Sequence, residues 1–248
     1  MKRILFIILI TFSLYNSHVS TKEAILLVGG VFGSEKSMHA IKKYFEDNYD
    51  YDAYPIFYLN RKSLEISYKN IVNEINKIDL AKYNKIHIFC HIFGGRMMLR
   101  YFKEYDIPNM DSIIFDRGPI EEELGIVVRD IGGEDLIKLY GGKNLLEFTY
   151  METFKIPENL KDNKIGIIIE TKAIKACYLY RRHIKKNKPS FNPKDLLEQY
   201  NDYYFIDLHH KDMYTKIEVF GDKVHNFFQT GYFGSDVNRE LRDYLSEF

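Results

Sequence analysis

The stretch Lys85-Ile86-His87-Ile88-Phe89-Cys90-His91-Ile92-Phe93-Gly94-Gly95 decides the fold. Its first half is a nearly continuous apolar run, the pattern of a strand buried on both faces of a parallel sheet. Its second half is a turn followed by two glycines, where the chain reverses into a helix predicted over 95–105. The residue at the turn is Ile92. An isoleucine side chain cannot be deprotonated, attack a carbonyl or ligate a metal, so whatever this turn once presented, it presents no nucleophile now.

Outward from this stretch, short apolar runs alternate with longer amphipathic ones. Strands are predicted over 24–28, 53–59, 86–89, 112–115 and 165–169, and helices over 36–49 and 68–78. Met38, Ile41, Tyr44 and Phe45 form the apolar stripe of one helix, and Ile71, Val72, Ile75 and Ile78 that of the other. Such alternation implies an α/β fold, a mostly parallel sheet with helices on both faces. Residues 117–163 lack strand alternation but contain a helical stretch over 134–140. In an open α/β sheet an insertion of this kind lies above the carboxyl ends of the strands, where ligands bind. It is read as a cap or lid, or else a plain packing excursion. A strand over 217–220 and a last helix over 237–245 close the single domain, 21–248.

Composition narrows the class. Of 248 residues, 46% are apolar and 15% aromatic, with 20 Tyr, 18 Phe and no Trp, which is a globular profile. Lys+Arg and Asp+Glu balance at 35 each, so charge favours neither nucleic acid nor an anionic membrane. Residues 1–20 stand apart as a signal peptide or N-terminal anchor. Lys2-Arg3 precede an apolar run over 4–15, shorter than the ~20 residues of a spanning helix. Export is the expectation, with membrane attachment only through an uncleaved 4–15 segment. Cys90 and Cys177 are expected to be buried free thiols, and no Cys/His spacing marks a zinc site.

The turn at 90–95 resembles the nucleophile elbow of the α/β-hydrolase superfamily, in its lipase/esterase-like branch, with Ile92 in the serine's place. The apolar run 25–28 followed by Gly29-Gly30-Val31-Phe32-Gly33-Ser34 is similar to the family's oxyanion loop, with Gly29 where a histidine is usual. Glu35-Lys36-Ser37 lacks the glycine that a phosphate-binding loop would need before Lys-Ser. Gly221-Asp222-Lys223-Val224-His225-Asn226 resembles the family's histidine loop, although His225 could be an ordinary surface histidine. Asn201-Asp202-Tyr203-Tyr204 resembles its acid loop, with Asp207 and Asp212 as competitors. The resemblance implies a sheet of about eight strands, His225 as base and Asp202 as acid, both vestigial beside Ile92. It also implies an oxyanion hole from the N–H groups of Phe93 and of Gly30 or Val31. Phe32, Ile92 and Arg117 would bind ligand, Arg117 either as an exposed carboxylate clamp or paired with Asp116.

These readings imply a non-catalytic pseudo-hydrolase that binds an acyl-bearing or small apolar ligand, or a partner protein. The alternative is an active ester hydrolase using His225 with water, or an unorthodox nucleophile such as Ser34 or Cys90. His91 is read as a packed turn residue. His209-His210 are adjacent, point different ways and have no third ligand by spacing, so neither a metal nor a cofactor is expected. If Ile92 and His225 stood at opposite ends of the sheet, the elbow would be accidental.

Overall fold

The computed structural model describes residues 22–31, 33–151 and 155–248. The leader over 1–20 and Phe32 lie outside the described residues. In chain order the elements are β1 (Glu23–Val28), α1 (Glu35–Asn48), β2 (Tyr51–Ile56), α2 (Leu64–Asn76), β3 (Lys85–His91), α3 (Ile92–Tyr101), β4 (Met110–Arg117), α4 (Pro119–Asp130), α5 (Glu134–Gly141) and α6 (Lys143–Phe148). They continue with β5 (Lys164–Lys172), α7 (Lys175–Leu179), α8 (Arg181–Asn187), α9 (Pro193–Leu196), β6 (Asp202–His209), α10 (Ile217–Thr230) and α11 (Tyr244–Glu247).

The six strands form one sheet in the order β2-β1-β3-β4-β5-β6, and every neighbouring pair is parallel. The order reverses between β1 and β3, so the carboxyl ends of these strands face a switch-point crevice. Side chains alternate between faces with period two, and the strands divide their apolar residues accordingly. Ile88 and Cys90 of β3, Ile113 and Phe115 of β4, and Ile165, Ile167 and Ile169 of β5 pack on one face with α2 and α3. Phe89, Ile114 and Ile168 pack on the other with Met38, Ile41 and Phe45 of α1 and Phe220, Val224, Phe227 and Phe228 of α10. Helices thus cover both faces, as the continuous apolar strands require.

Four expectations need correction. Residues 217–220 are the first turn of α10, not a strand: Ile217, Phe220, Val224 and Phe227-Phe228 recur at helical spacing, and all are buried. The segment opened by Asp202 is strand β6, not a loop. The last helix is only Tyr244–Glu247, and Asn238 instead forms an antiparallel bridge with Phe205. The sheet has six strands among the described residues, fewer than the eight the resemblance implied. Cys90 and Cys177 are free and buried. No described helix is long and apolar enough to cross a membrane.

Candidate active site at the carboxyl ends of the strands

At the end of β3 the chain turns directly into α3. His91 is the cap residue in extended conformation (φ −85°, ψ 157°), and Ile92 is the first helical residue. Gly94 is dictated by packing: a Cβ there would lie 2.4 Å from Val28 O and 2.7 Å from Gly29 O, so α3 rests against the end of β1. The turn is not strained, however. The non-glycine residues with positive φ among those described are Asn109 and Lys188. A nucleophile elbow holds its residue in a sharp, strained turn, and a β-branched side chain is the residue type least able to take up positive φ. Here the relaxed turn and Ile92 agree with each other.

Ile92 forms part of a cavity of about 90 Å³, together with Gly30, Val31, Phe93, Arg96 and His210. Phe148 of α6 closes one side by stacking on Phe93, with ring centroids 4.4 Å apart. The three oxyanion candidates therefore meet at this cavity. Phe93 lies in the first turn of α3, where backbone N–H groups lack helical acceptors. Gly30 is already engaged: its N–H donates to Tyr214 Oη at 2.6 Å. Val31 is the loop residue left to complete such a hole.

The two residues the sequence placed in an acid–base pair are elsewhere. His225 lies within α10, stacked on Tyr49 at 3.8 Å, with Nδ1 2.9 Å from Tyr51 Oη. Tyr51 begins β2 and pairs with Glu23 at the start of β1, so His225 sits at the amino ends of the strands. Burial holds its imidazole below the usual pKa. Asp202 begins β6 and pairs with both the Nε and Nη2 of Arg239 (2.9 and 2.7 Å) while accepting from Phe233 N–H. Ile92 and His225 are thus at opposite ends of the sheet, which removes the acid-loop and histidine-loop resemblances at 201–204 and 221–226; the likeness of the turn at 90–95 to an elbow then rests on the strand-to-helix geometry after β3 alone. Asp207 is exposed and pairs with Lys172, and Asp212 pairs with Lys216. Arg117 is not an exposed clamp. It is buried and grips Glu122 bidentately (2.6 and 2.7 Å) while donating to Leu196 O.

What does converge at the carboxyl ends is a different set of groups. His91 and Asp116 are register partners on β3 and β4, and His91 Nδ1 lies 2.6 Å from Asp116 Oδ2. Glu170, near the end of β5, has Oε1 2.6 Å from Nδ1 of His210, just after β6. These four residues are all at most 3% exposed. His91, Asp116 and Glu170 continue the period-two rows that carry Phe89, Ile114 and Ile168, so strand alternation alone puts them together. Burial, then the charge of Asp116, pushes the Glu170 carboxyl well above its ordinary range. Burial holds His210 down to about 4, so the imidazole is neutral near pH 7. Glu121 of α4 adds a third carboxyl, pushed up to about 8 by burial and by Asp116 and Glu122, against the Ile174 N–H that it accepts. Burial also opposes ionisation of Glu122, but Arg117 and Arg96 outweigh it and hold that carboxyl below its usual value.

Neither Glu170 nor His210 stands out in the sequence. The run 165–169 predicts a strand, and only the crevice at the carboxyl ends makes a functional group of the carboxylate that follows it. His210 follows β6, whose imperfect alternation does not predict a strand. The chain order is elbow, carboxylate, histidine, the order seen in serine hydrolases of this topology.

No family model matches this sequence, and no curated protein matches it either. Solved structures do match in three dimensions. An extracellular α/β-hydrolase from a Paenibacillus species superposes with a TM-score of 0.52 at 12% identity, over 79% of this chain and 98% of that one. An α/β hydrolase from a sediment metagenome of the Mar Chica lagoon, Morocco, gives 0.47 at 16% identity, covering 84% and 91%. Polyneuridine aldehyde esterase gives 0.47 at 10%, covering 84% and 98%. With the all-parallel strand order and the strand-to-helix turn after β3, the first of these superpositions shows that the chain has the α/β-hydrolase fold.

Proposed function

We propose that this protein is a non-catalytic α/β-hydrolase-fold protein that binds a small acyl-bearing or apolar ligand above β3. The observation that carries this reading is Ile92 at the cavity beside His210, where a hydrolase would present its nucleophile. Two further features support it: the turn lacks elbow strain, and the Gly30 N–H is spent on Tyr214. The cavity of about 90 Å³ is well below the several hundred Å³ of a typical ligand site. It takes the head of a ligand, and a longer acyl chain requires the segment from α4 to α6 to move aside.

A second reading is favoured by one observation, the 2.6 Å contact between His210 Nδ1 and Glu170 Oε1. The Glu170 carboxyl fixes the ring of a neutral imidazole that lines the cavity, which places it to activate water as a general base. The two readings separate on a panel of short- and medium-chain aryl esters. The binding reading expects the native protein to be inert, with the panel's acyl products protecting it against thermal unfolding. Turnover that disappears in both His210→Gln and Glu170→Gln would establish the hydrolytic reading instead. Export rests on Lys2-Arg3 and the apolar run 4–15. It is tested by sequencing the amino terminus of protein recovered from outside the cytosol.

A further inference from the structure

We infer that Asp116, Glu170 and His210 form a binding site for one divalent transition cation of the Zn²⁺ or Mn²⁺ type. The three come from β4, β5 and the turn after β6, and one ligand atom of each lies within 4.8 Å of the other two. Three ligands about 2.1 Å from one ion in tetrahedral or trigonal arrangement lie roughly 3.4–3.6 Å apart, so the side chains close by about an ångström around it. Two carboxylates and an imidazole are a mixed oxygen–nitrogen set, which suits Zn²⁺ or Mn²⁺ better than the all-oxygen preference of Ca²⁺.

A cluster of this composition could be no more than a set of paired side chains. What points to a ligand is the state of the oxygens. Asp116 Oδ1 and Glu170 Oε2 are both buried, and no described N–H or hydroxyl group donates to either. Leaving such acceptors dry and unpaired costs free energy that a bound cation would recover. Gly118 packs closely against this cluster: a Cβ there would lie 2.8 Å from Glu170 Oε2, 3.0 Å from Glu121 Oε2 and 3.1 Å from Ile92 Cδ1. Of the three ligands, His210 lines the cavity beside Ile92, as does the neighbouring Glu121. His91, bonded to Asp116 through Nδ1, holds that carboxylate in place as an outer partner of the site. The neighbouring Glu122 is already neutralised by Arg117 and Arg96, so it does not compete.

The inference depends neither on the binding reading nor on the hydrolytic one, because metal content and ester turnover are measured separately. The test is equilibrium dialysis of the metal-stripped full chain against Zn²⁺ and against Mn²⁺, with bound metal quantified. Asp116→Asn and Glu170→Gln, which preserve shape, and His225→Ala, at the far end of the sheet, are measured beside it. The expected result is one equivalent on the native protein and on His225→Ala, with affinity weakened ~10-fold or more in the two carboxyl variants. Absence of stoichiometric uptake, or equal uptake by all variants, would overturn the assignment. Paramagnetic Mn²⁺ broadening of the histidine ring resonances needs no variant. It should act on His210 before His225, and equal broadening of the two would count against the site.

Discussion

At the scale of single residues, position 92 and position 94 tell opposite stories. Gly94 is kept by sterics: any Cβ collides with the carbonyls that end β1. Gly94→Ala is expected to cost on the order of 4 kcal/mol or to abolish folding, since backbone atoms cannot yield as a flexible side chain can. Chemical denaturation checks it, and a loss below ~1 kcal/mol would mean that α3 shifts freely. Ile92 is retained by no such constraint, because the turn imposes no unusual dihedral. Ile92→Ser is expected to leave aryl-ester hydrolysis at the native level, since a hydroxyl there lacks the strained presentation of an elbow and faces a loop whose Gly30 N–H is already bonded. A gain of ~10²-fold that vanishes in Ile92→Ser/His210→Gln would show instead that only the hydroxyl was missing. Position 92 was legible in the sequence because the glycines around it fix the turn. The partner of its pocket was not, because a histidine's role depends on which strand end it follows.

Among the elements, those with long periodic stripes were readable and those with short or interrupted patterns were not. The parallel strands β1, β3, β4 and β5 are continuous apolar runs, and their assignment follows from burial on both faces. Strand β6 alternates imperfectly, with exposed Asp207 and half-buried Tyr203 among buried neighbours, so its pattern does not predict a strand. Without that strand, neither the place of Asp202 at the amino end of the sheet nor that of His210 at the carboxyl end is legible. The first turn of α10, Ile217–Phe220, has the composition of a strand, and only the stripe continued by Val224 and Phe227 identifies a helix. The consequence for His225 is testable. His225→Ala removes its stack on Tyr49 and its bond to Tyr51, and is expected to lower stability by about 1–2 kcal/mol. Ligand protection at the cavity should be unchanged. A variant that keeps full stability but loses ligand protection would restore His225 to the site.

Across the whole molecule, ionisable groups are concentrated in the dry interior at one end of the sheet, and this concentration sets the pH dependence of stability. Glu121 titrates near 8 in the folded chain against an ordinary 4.5, and Glu170 is shifted in the same direction. Between those values the unfolded chain has released protons that the folded chain keeps, so stability falls as pH rises through this window. His210 acts the other way. Its folded value of about 4 lies below the ordinary 6.5, so its contribution is lost as pH drops from 6.5 towards 4. The two effects oppose each other below pH 6.5, and above it only the carboxyl effect remains. Thermal unfolding of the metal-free protein should therefore show Tm declining from pH 6.5 to 8. Glu121→Gln, which fixes the neutral form, should decline less and be the more stable protein at pH 8. A decline equal to the native one would mean that Glu121 is ionised throughout and that the cavity admits enough water to solvate it. In that case the crevice would be a hydrated entrance rather than the dry pocket that suits an apolar ligand.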